Sequence, residues 1–339
     1  MIKYVQNKLI DYASVQVLLD KSAKVCRFSN GGPVKFELES YLEGLLELPE
    51  TKKLICANNG TSALHVLMFL YEHLSEKKKF NWATVAYNFP CPVVNNFNAH
   101  IFDITLEPNS YAIDLSKKLA KYDGFVLPTL FGTLPRNLMD CVSFCKENDI
   151  ILLLDNASSF LSKKDSVNIC ALGDGSIGSL HHTKYLGFGE GGFLVIDKDL
   201  YLKADSLTNF GFFQDRIYKP YSSNFKMSDI SAAFILSHIR NYNLEMHKEI
   251  QQKFRDSLDL FNDSAEVVYG NLPIQFKNPT SQLLFRDYGI EANKYYVPLK
   301  SLPNSDYLYE RMVNFPLHAE LSDYEINKIV EQINIQAKK

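Results

Sequence analysis

Through its first two thirds the chain alternates short, wholly apolar runs with helix-like stretches, and no other feature constrains the fold as much. Candidate strands are Leu54–Ala57, Ala83–Tyr87, His100–Ile104, Gly124–Leu127, Ile150–Leu154 and Phe193–Ile196. Helical patterns lie between them at Ser62–Ser75, Asp114–Lys121 and Asn137–Glu147. A strand with one wet face alternates apolar and polar residues, whereas a strand that is apolar throughout must be covered on both faces. Strands of the second kind, separated by helices, specify an α/β fold: a mostly parallel sheet sandwiched by helices. Ligands in such sheets sit beyond the carboxyl ends of the strands, so the loops there are where chemistry is sought.

From about Ser228 the texture changes. A helical pattern from Asp229 to Phe261, broken at Asn241-Tyr242-Asn243, gives way to strand-like pieces at Glu266–Tyr269, Ile274–Phe276 and Lys294–Pro298. A last helix near Ser322–Ala337 has Ser322 and Glu325 at the spacing of a capping box. This reads as a smaller C-terminal α+β domain, with a boundary near Ser228–Arg240 that divides residues 1–235 from 236–339. A length of 339 residues accommodates one large and one small domain.

Charge and composition remove other classes. With 36 Lys and Arg against 39 Asp and Glu, net −3, the chain lacks the positive excess that nucleic-acid binding requires. No apolar run approaches the roughly 18 residues that suggest a membrane span, and the start, Met1–Asn7, has no apolar stretch like that of a signal peptide. A cytoplasmic protein is expected. Its six cysteines are scattered, and no second Cys or His cluster accompanies Cys141 and Cys145, so we expect buried thiols and no metal.

One formal motif is a decoy. Gly173-Asp174-Gly175-Ser176-Ile177-Gly178 matches a dinucleotide fingerprint, with Asp197 downstream. The fingerprint works only if its last glycine opens a helix. Here Gly187, Gly189, Gly191 and Gly192 follow, and each would cost a helix about 1 kcal/mol. An NAD-dependent oxidoreductase is thereby reduced to an alternative.

The same stretch, Ser179-Leu180-His181-His182-Thr183-Lys184 through Gly192, places a lysine on a glycine-rich hairpin-like loop. A lysine desolvated there would favour the neutral amine of Schiff-base chemistry. Three further features fit one cofactor. Leu54–Leu64 reads as strand, small-residue turn and helix, where Gly60, Thr61 and Ser62 could hold a phosphate. Ile150–Leu154 ends in Asp155, a carboxylate able to face a protonated pyridine nitrogen. Tyr87-Asn88-Phe89-Pro90 offers an aromatic ring for stacking. Phosphate cradle, pyridinium partner, stacking ring and lysine together describe a pyridoxal phosphate (PLP) site.

These residues resemble the DegT/DnrJ/EryC1/StrS sugar aminotransferases, a fold-type-I family. The resemblance rests on Gly60-Thr61-Ser62-Ala63-Leu64, the strand-terminal Asp155, and the Ser179–Lys184 segment followed by Glu190-Gly191-Gly192. It extends through Asn209-Phe210-Gly211, Asn224–Ile230, Tyr295–Leu299 and Phe315–His318, and back to Phe28–Pro33. It implies a large domain with a seven-stranded sheet and a homodimer with shared active sites. Lys184 would form the Schiff base, Asp155 would pair with the ring nitrogen, and Gly60, Thr61, Ser62 and Ser179 would hold the phosphate. Phe89 would stack on the ring, and Asn224 would reach the phosphate of the neighbouring subunit. Asn30, His182, Lys226 and Lys300 are the implied substrate contacts.

Three positions depart from the family pattern: Ser158 where Gln or His is usual, Lys226 where Arg is common, and Lys300 where His is common. Lys184 itself is retained, unlike in the family's dehydratase branch. The resemblance implies that an amino-acid donor, glutamate, gives its nitrogen through PLP and PMP to a nucleotide-linked keto sugar. The favoured acceptor is a dTDP-4-keto-6-deoxyhexose and the next a 3-keto sugar, for lipopolysaccharide O-antigen or a related glycan. A catalytically silent PLP-binding regulator is the remaining alternative.

Overall fold

A computed structural model describes residues 1–339 except 76, 78, 214 and 215. Seven strands form the central sheet: β1 Lys52–Ala57, β2 Trp82–Val85, β3 His100–Phe102, β4 Gly124–Pro128, β5 Ile151–Asp155, β6 Gly175–Ser179 and β7 Gly192–Asp197. Their spatial order is β1-β7-β6-β5-β4-β2-β3. β7 runs antiparallel to both neighbours, and the other pairings are parallel. The principal helices are α1 Tyr12–Lys24, α2 Pro33–Leu45, α3 Gly60–Leu74, α4 Leu138–Glu147, α5 Asp229–Asn241, α6 Leu244–Ser257 and α7 Asp323–Ala337.

Successive side chains of a strand point to opposite faces, and here both faces are dry. On β5, Leu152 and Leu154 join one buried cluster with Phe254 and Phe315, while Leu153 joins another with Leu64 and Leu67 on α3. Leu54 and Cys56 of β1 pack with Leu38 and Leu42 on α2 and with Leu236 on α5. The continuous apolar runs are thus explained, and the expected α/β sandwich is the architecture found.

Sequence reasoning missed β6. Its residues are Gly-Ser-Ile-Gly-Ser, too small and polar to read as a strand, and it contains most of the dinucleotide decoy. The glycines serve packing: a Cβ on Gly178 would lie 2.1 Å from the Phe193 ring, and one on Gly175 would lie 3.1 Å from Leu67. The motif is a strand between β5 and β7, with no helix opening at its last glycine.

Other expectations need correction. The helix at Asp114–Lys121 is only a single 3₁₀ turn, Leu119–Lys121. Glu266–Tyr269 is not a strand because side chains take its backbone bonds: Ser162 Oγ accepts from Val268 N at 3.0 Å, and Gln251 Oε1 from Tyr269 N at 2.9 Å. Lys294–Pro298 is also irregular. The C-terminal ribbon pairs β8 Leu272–Gln275 with β9 Met312–Phe315.

The break at Tyr242 separates α5 from α6, whose N-cap Asn243 accepts from Met246 N, and the capping box at Ser322 and Glu325 is formed. Asp229 opens α5 and anchors α2: its carboxylate accepts from Val34 N and Lys35 N, both at 3.0 Å, and from Ser22 Oγ at 2.6 Å. We retain the division near Ser228–Arg240 as a proposal; residue 235 lies within α5. Among the described residues no helix is long and apolar enough to cross a membrane.

The contact between Gly178 and Phe193 yields a prediction. Gly178→Ala should destabilise the protein by about 1–3 kcal/mol through overpacking, measured by urea unfolding. Adding Phe193→Leu should recover part of the loss.

Candidate active site

The carboxyl ends of β1, β4, β5 and β6 converge on one cavity of about 540 Å³. Of the predicted residues, Gly60, Thr61, Ser62, Phe89, Asp155, Ser158, Ser179 and Lys184 line it.

The phosphate end is built from α3 and β6. Asn59 caps α3, its Oδ1 accepting from Ser62 N at 2.8 Å. That leaves the Gly60 and Thr61 amides with no intrahelical acceptor. Ser179 ends β6 beside them; a Cβ on Gly60 would lie 3.5 Å from the Ser179 Cβ. Gly192 opens β7 under the same turn, where a Cβ would meet the Gly60 nitrogen at 2.3 Å. Two amides, the helix dipole and three hydroxyls form a cradle for a dianion.

Asp155 ends β5 and is buried, only 7% exposed. Ala157 N donates to its Oδ1 at 3.1 Å and the Cys91 thiol to its Oδ2 at 3.7 Å. Burial raises its pKa, against the Ala157 hydrogen bond and the charge of Lys184, which both lower it. A carboxylate has about four acceptor positions, and these two contacts occupy two. A buried carboxylate with open acceptor positions on a cavity fits a pyridinium N–H.

Lys184 lies on the β6–β7 hairpin, held by Lys184 N donating to the His181 carbonyl at 2.8 Å and by Leu180 N donating to Gly191 O at 2.9 Å. Its Nζ donates to Ser158 Oγ at 2.6 Å. Burial lowers its pKa to about 8 from 10.5, and Asp155 opposes the shift. Part of the side chain remains open to the cavity, but the surrounding walls desolvate it. Ser158 thus holds the amine directly, at the position where the family pattern has a longer side chain. Phe89 meets Tyr296 edge-on, ring centroids 5.4 Å apart, and together they form an aromatic wall. The residues present fit PLP at its phosphate, its ring nitrogen, its ring face and its lysine.

Five predicted residues lie off this cavity. Asn30, His182, Asn224 and Lys300 are exposed. Lys226 donates to Asn209 Oδ1 at 2.7 Å and to Asn224 Oδ1 at 2.6 Å. Between those two, Phe225 turns into the cavity, and its carbonyl accepts from Asn58 N at 2.8 Å.

The cavity also contains residues that sequence reasoning did not assign. His65 sits one turn into α3; its Nε2 donates to Cys91 O at 2.9 Å and its Nδ1 accepts from Asn95 Nδ2 at 3.0 Å, and burial lowers its pKa. The spacing from Thr61 to His65 put it on the right helical face. Tyr4 and Asn271, bonded at 2.8 Å, are 267 residues apart in the chain and carried no local signal.

A buried lysine and carboxylate facing a phosphate cradle, on this seven-stranded sheet, define a fold-type-I PLP-dependent transaminase. The chain belongs to the DegT/DnrJ/EryC1/StrS aminotransferase family, whose sequence model matches residues 15–262. It is 24% identical over 342 residues to a dTDP-4-amino-4,6-dideoxy-D-glucose transaminase of Shigella dysenteriae, covering 91% of each chain. It is 22% identical over 306 residues to a GDP-perosamine synthase of Escherichia coli O157:H7, covering 82% and 84%. A putative sugar aminotransferase of Streptococcus pneumoniae in its PMP form shares the fold at a TM-score of 0.82 and 18% identity, covering 100% and 98%.

Lys184 also affects stability. Between its folded pKa of about 8 and the ordinary 10.5 the unfolded chain binds the extra proton, so stability rises with pH across that window. In cofactor-free protein, Lys184→Met should lower that slope by up to about 1.4 kcal/mol per pH unit, read from denaturation midpoints at pH 8 to 10.5.

Proposed function

We propose that this transaminase moves an amino group from glutamate to a nucleotide-linked keto-deoxysugar, a dTDP-4-keto-6-deoxyhexose, in the cytoplasm. The product would supply lipopolysaccharide O-antigen or a related surface glycan. The observation that carries the chemical part is the Lys184 amine. It is desolvated to a pKa of about 8, held by Ser158, and shares its cavity with the buried carboxylate of Asp155. The choice of acceptor draws support from the Shigella relative, whose name specifies a dTDP-linked 4-amino sugar. A 3-keto sugar is the second choice.

When bound, PLP supplies an electron sink that lets a proton leave the carbon carrying the transferred nitrogen. Lys184 is the group that takes that proton and returns it: an amine with a pKa near 8 is both an available base and a competent acid near neutral pH. In the cofactor-free site Ser158 holds its Nζ at the cavity wall. Asp155, with acceptor positions to spare, would hold a proton at the ring nitrogen. The Gly60 and Thr61 amides with Thr61, Ser62 and Ser179 anchor the phosphate, so the reacting end keeps its orientation toward Lys184.

We further propose a homodimer in which Asn224 and Lys226 serve the partner's site. Both lie outside their own cavity, on a loop that exposes Phe210, Phe212, Phe213 and Tyr218. Large exposed apolar patches mark interaction surfaces.

The test is turnover. Purified protein with PLP, glutamate and dTDP-4-keto-6-deoxyglucose should yield 2-oxoglutarate and a dTDP-4-amino sugar in equal amounts. Formation of only a 3-amino product from the corresponding 3-keto sugar would move the assignment to the second acceptor. No turnover with either would refute the acceptor class.

A further inference from the structure

Residues 2–8 run as a strap from the C-terminal part of the chain to the loop that carries Lys184. Ile2 N donates to Gly289 O at 2.7 Å, and Glu291 N donates to Ile2 O at 3.0 Å. His318 Nε2 donates to Lys3 O at 3.1 Å, and Asn7 N to Glu320 Oε2 at 2.9 Å. At the far end of the strap, Lys8 Nζ donates to the carbonyls of both Lys184 and Gly187.

Those two carbonyls bound one turn, since Gly187 N itself donates to Lys184 O at 2.9 Å. A single amine therefore ties the first and last residues of the turn. The backbone there is crowded: a Cβ on Gly187 would lie 2.0 Å from the His181 carbonyl oxygen. Burial alone moves Lys8 down to about 7 from 10.5, with no carboxylate compensating. Taking a lysine from water to meet only backbone carbonyls is costly. An apolar side chain would fill the same space without that cost, but it could not hold the turn.

We propose that Lys8 is a positioning residue for Lys184: by fixing both ends of the 184–187 turn it keeps the Lys184 amine on the Ser158 hydroxyl at the cavity wall. The proposal rests on the reading of Lys184 as the acting amine. It makes the N-terminal strap part of the active site, although Lys8 touches neither substrate nor cofactor. Asp155 is the charged group that acts on Lys184, and His182 and His238 are the titratable groups that feel Lys8. The test leaves all three unchanged.

The experiment is amine labelling of cofactor-free protein with acetic anhydride from pH 6 to 11, read by mass spectrometry on the peptide containing Lys184. In Lys8→Met the released turn should let Lys184 hydrate, and its labelling midpoint should rise by about one pH unit toward that of an ordinary lysine. Lys8→Arg, which can donate to both carbonyls, should restore the wild-type midpoint. With PLP and substrates, kcat of Lys8→Met should fall about ten- to hundredfold while both KM values stay near wild type. An unmoved Lys184 midpoint in Lys8→Met, or one that Arg does not restore, overturns the proposal. Should Lys8→Met not fold, Lys8→Leu, which also lacks a donor, replaces it, and an unmoved midpoint there overturns it equally. Labelling reports the Lys184 surroundings whether or not transfer occurs, so its failure is distinguishable from failure of the transferase reading.

Discussion

The central sheet is dry on both faces, and the rest of the structure depends on that constraint. Leu152, Leu153 and Leu154 all bury their side chains, to alternate sides, so β5 has no flank on which to display chemistry. Polar groups can gather only where the strands stop. Asp155, Ser179 and the turn into Gly60 lie at three such stops, and the order β1-β7-β6-β5 brings them together. The approach is close enough that Gly192 and Gly178 admit no side chain.

Desolvation then sets the reactivity. The same burial that raises the pKa of Asp155 lowers that of Lys184, so both groups are moved toward the neutral form. Charge attraction between them opposes both shifts without cancelling either. An amine near pKa 8 and a carboxylate with acceptor positions to spare suit proton transfer to and from carbon beside a ring whose nitrogen must stay protonated. The reaction therefore follows from where the strands end and how deeply those ends are buried.

What the sequence disclosed follows physical lines. Strands buried on both faces are apolar runs, and five of the seven were located within a few residues. β3 was recognisable but shorter than expected, ending at Phe102. β6 was hidden because its neighbours demand small side chains, so a packing requirement removed the hydrophobic signal and left a false dinucleotide motif. The predicted residues that line the cavity were legible because they sit at strand ends or in the loops just after them, with local signatures. Tyr4 and Asn271 were not, because they reach the cavity from distant parts of the chain and no local pattern marks a long-range contact. The false strand at Glu266–Tyr269 failed for a related reason: its apolar side chains are buried, but Ser162 and Gln251 take its backbone bonds.

The central claim is that Lys184, among 36 lysine and arginine side chains, is the one that carries the cofactor. The most direct measurement is to load the protein with PLP, reduce it with borohydride, and map the pyridoxyl mass by peptide mass spectrometry. The account predicts a visible absorption band that borohydride removes, one pyridoxyl group per chain on the peptide containing Lys184, and loss of both in Lys184→Ala. A band that survives in Lys184→Ala, or a label on another lysine, would contradict it.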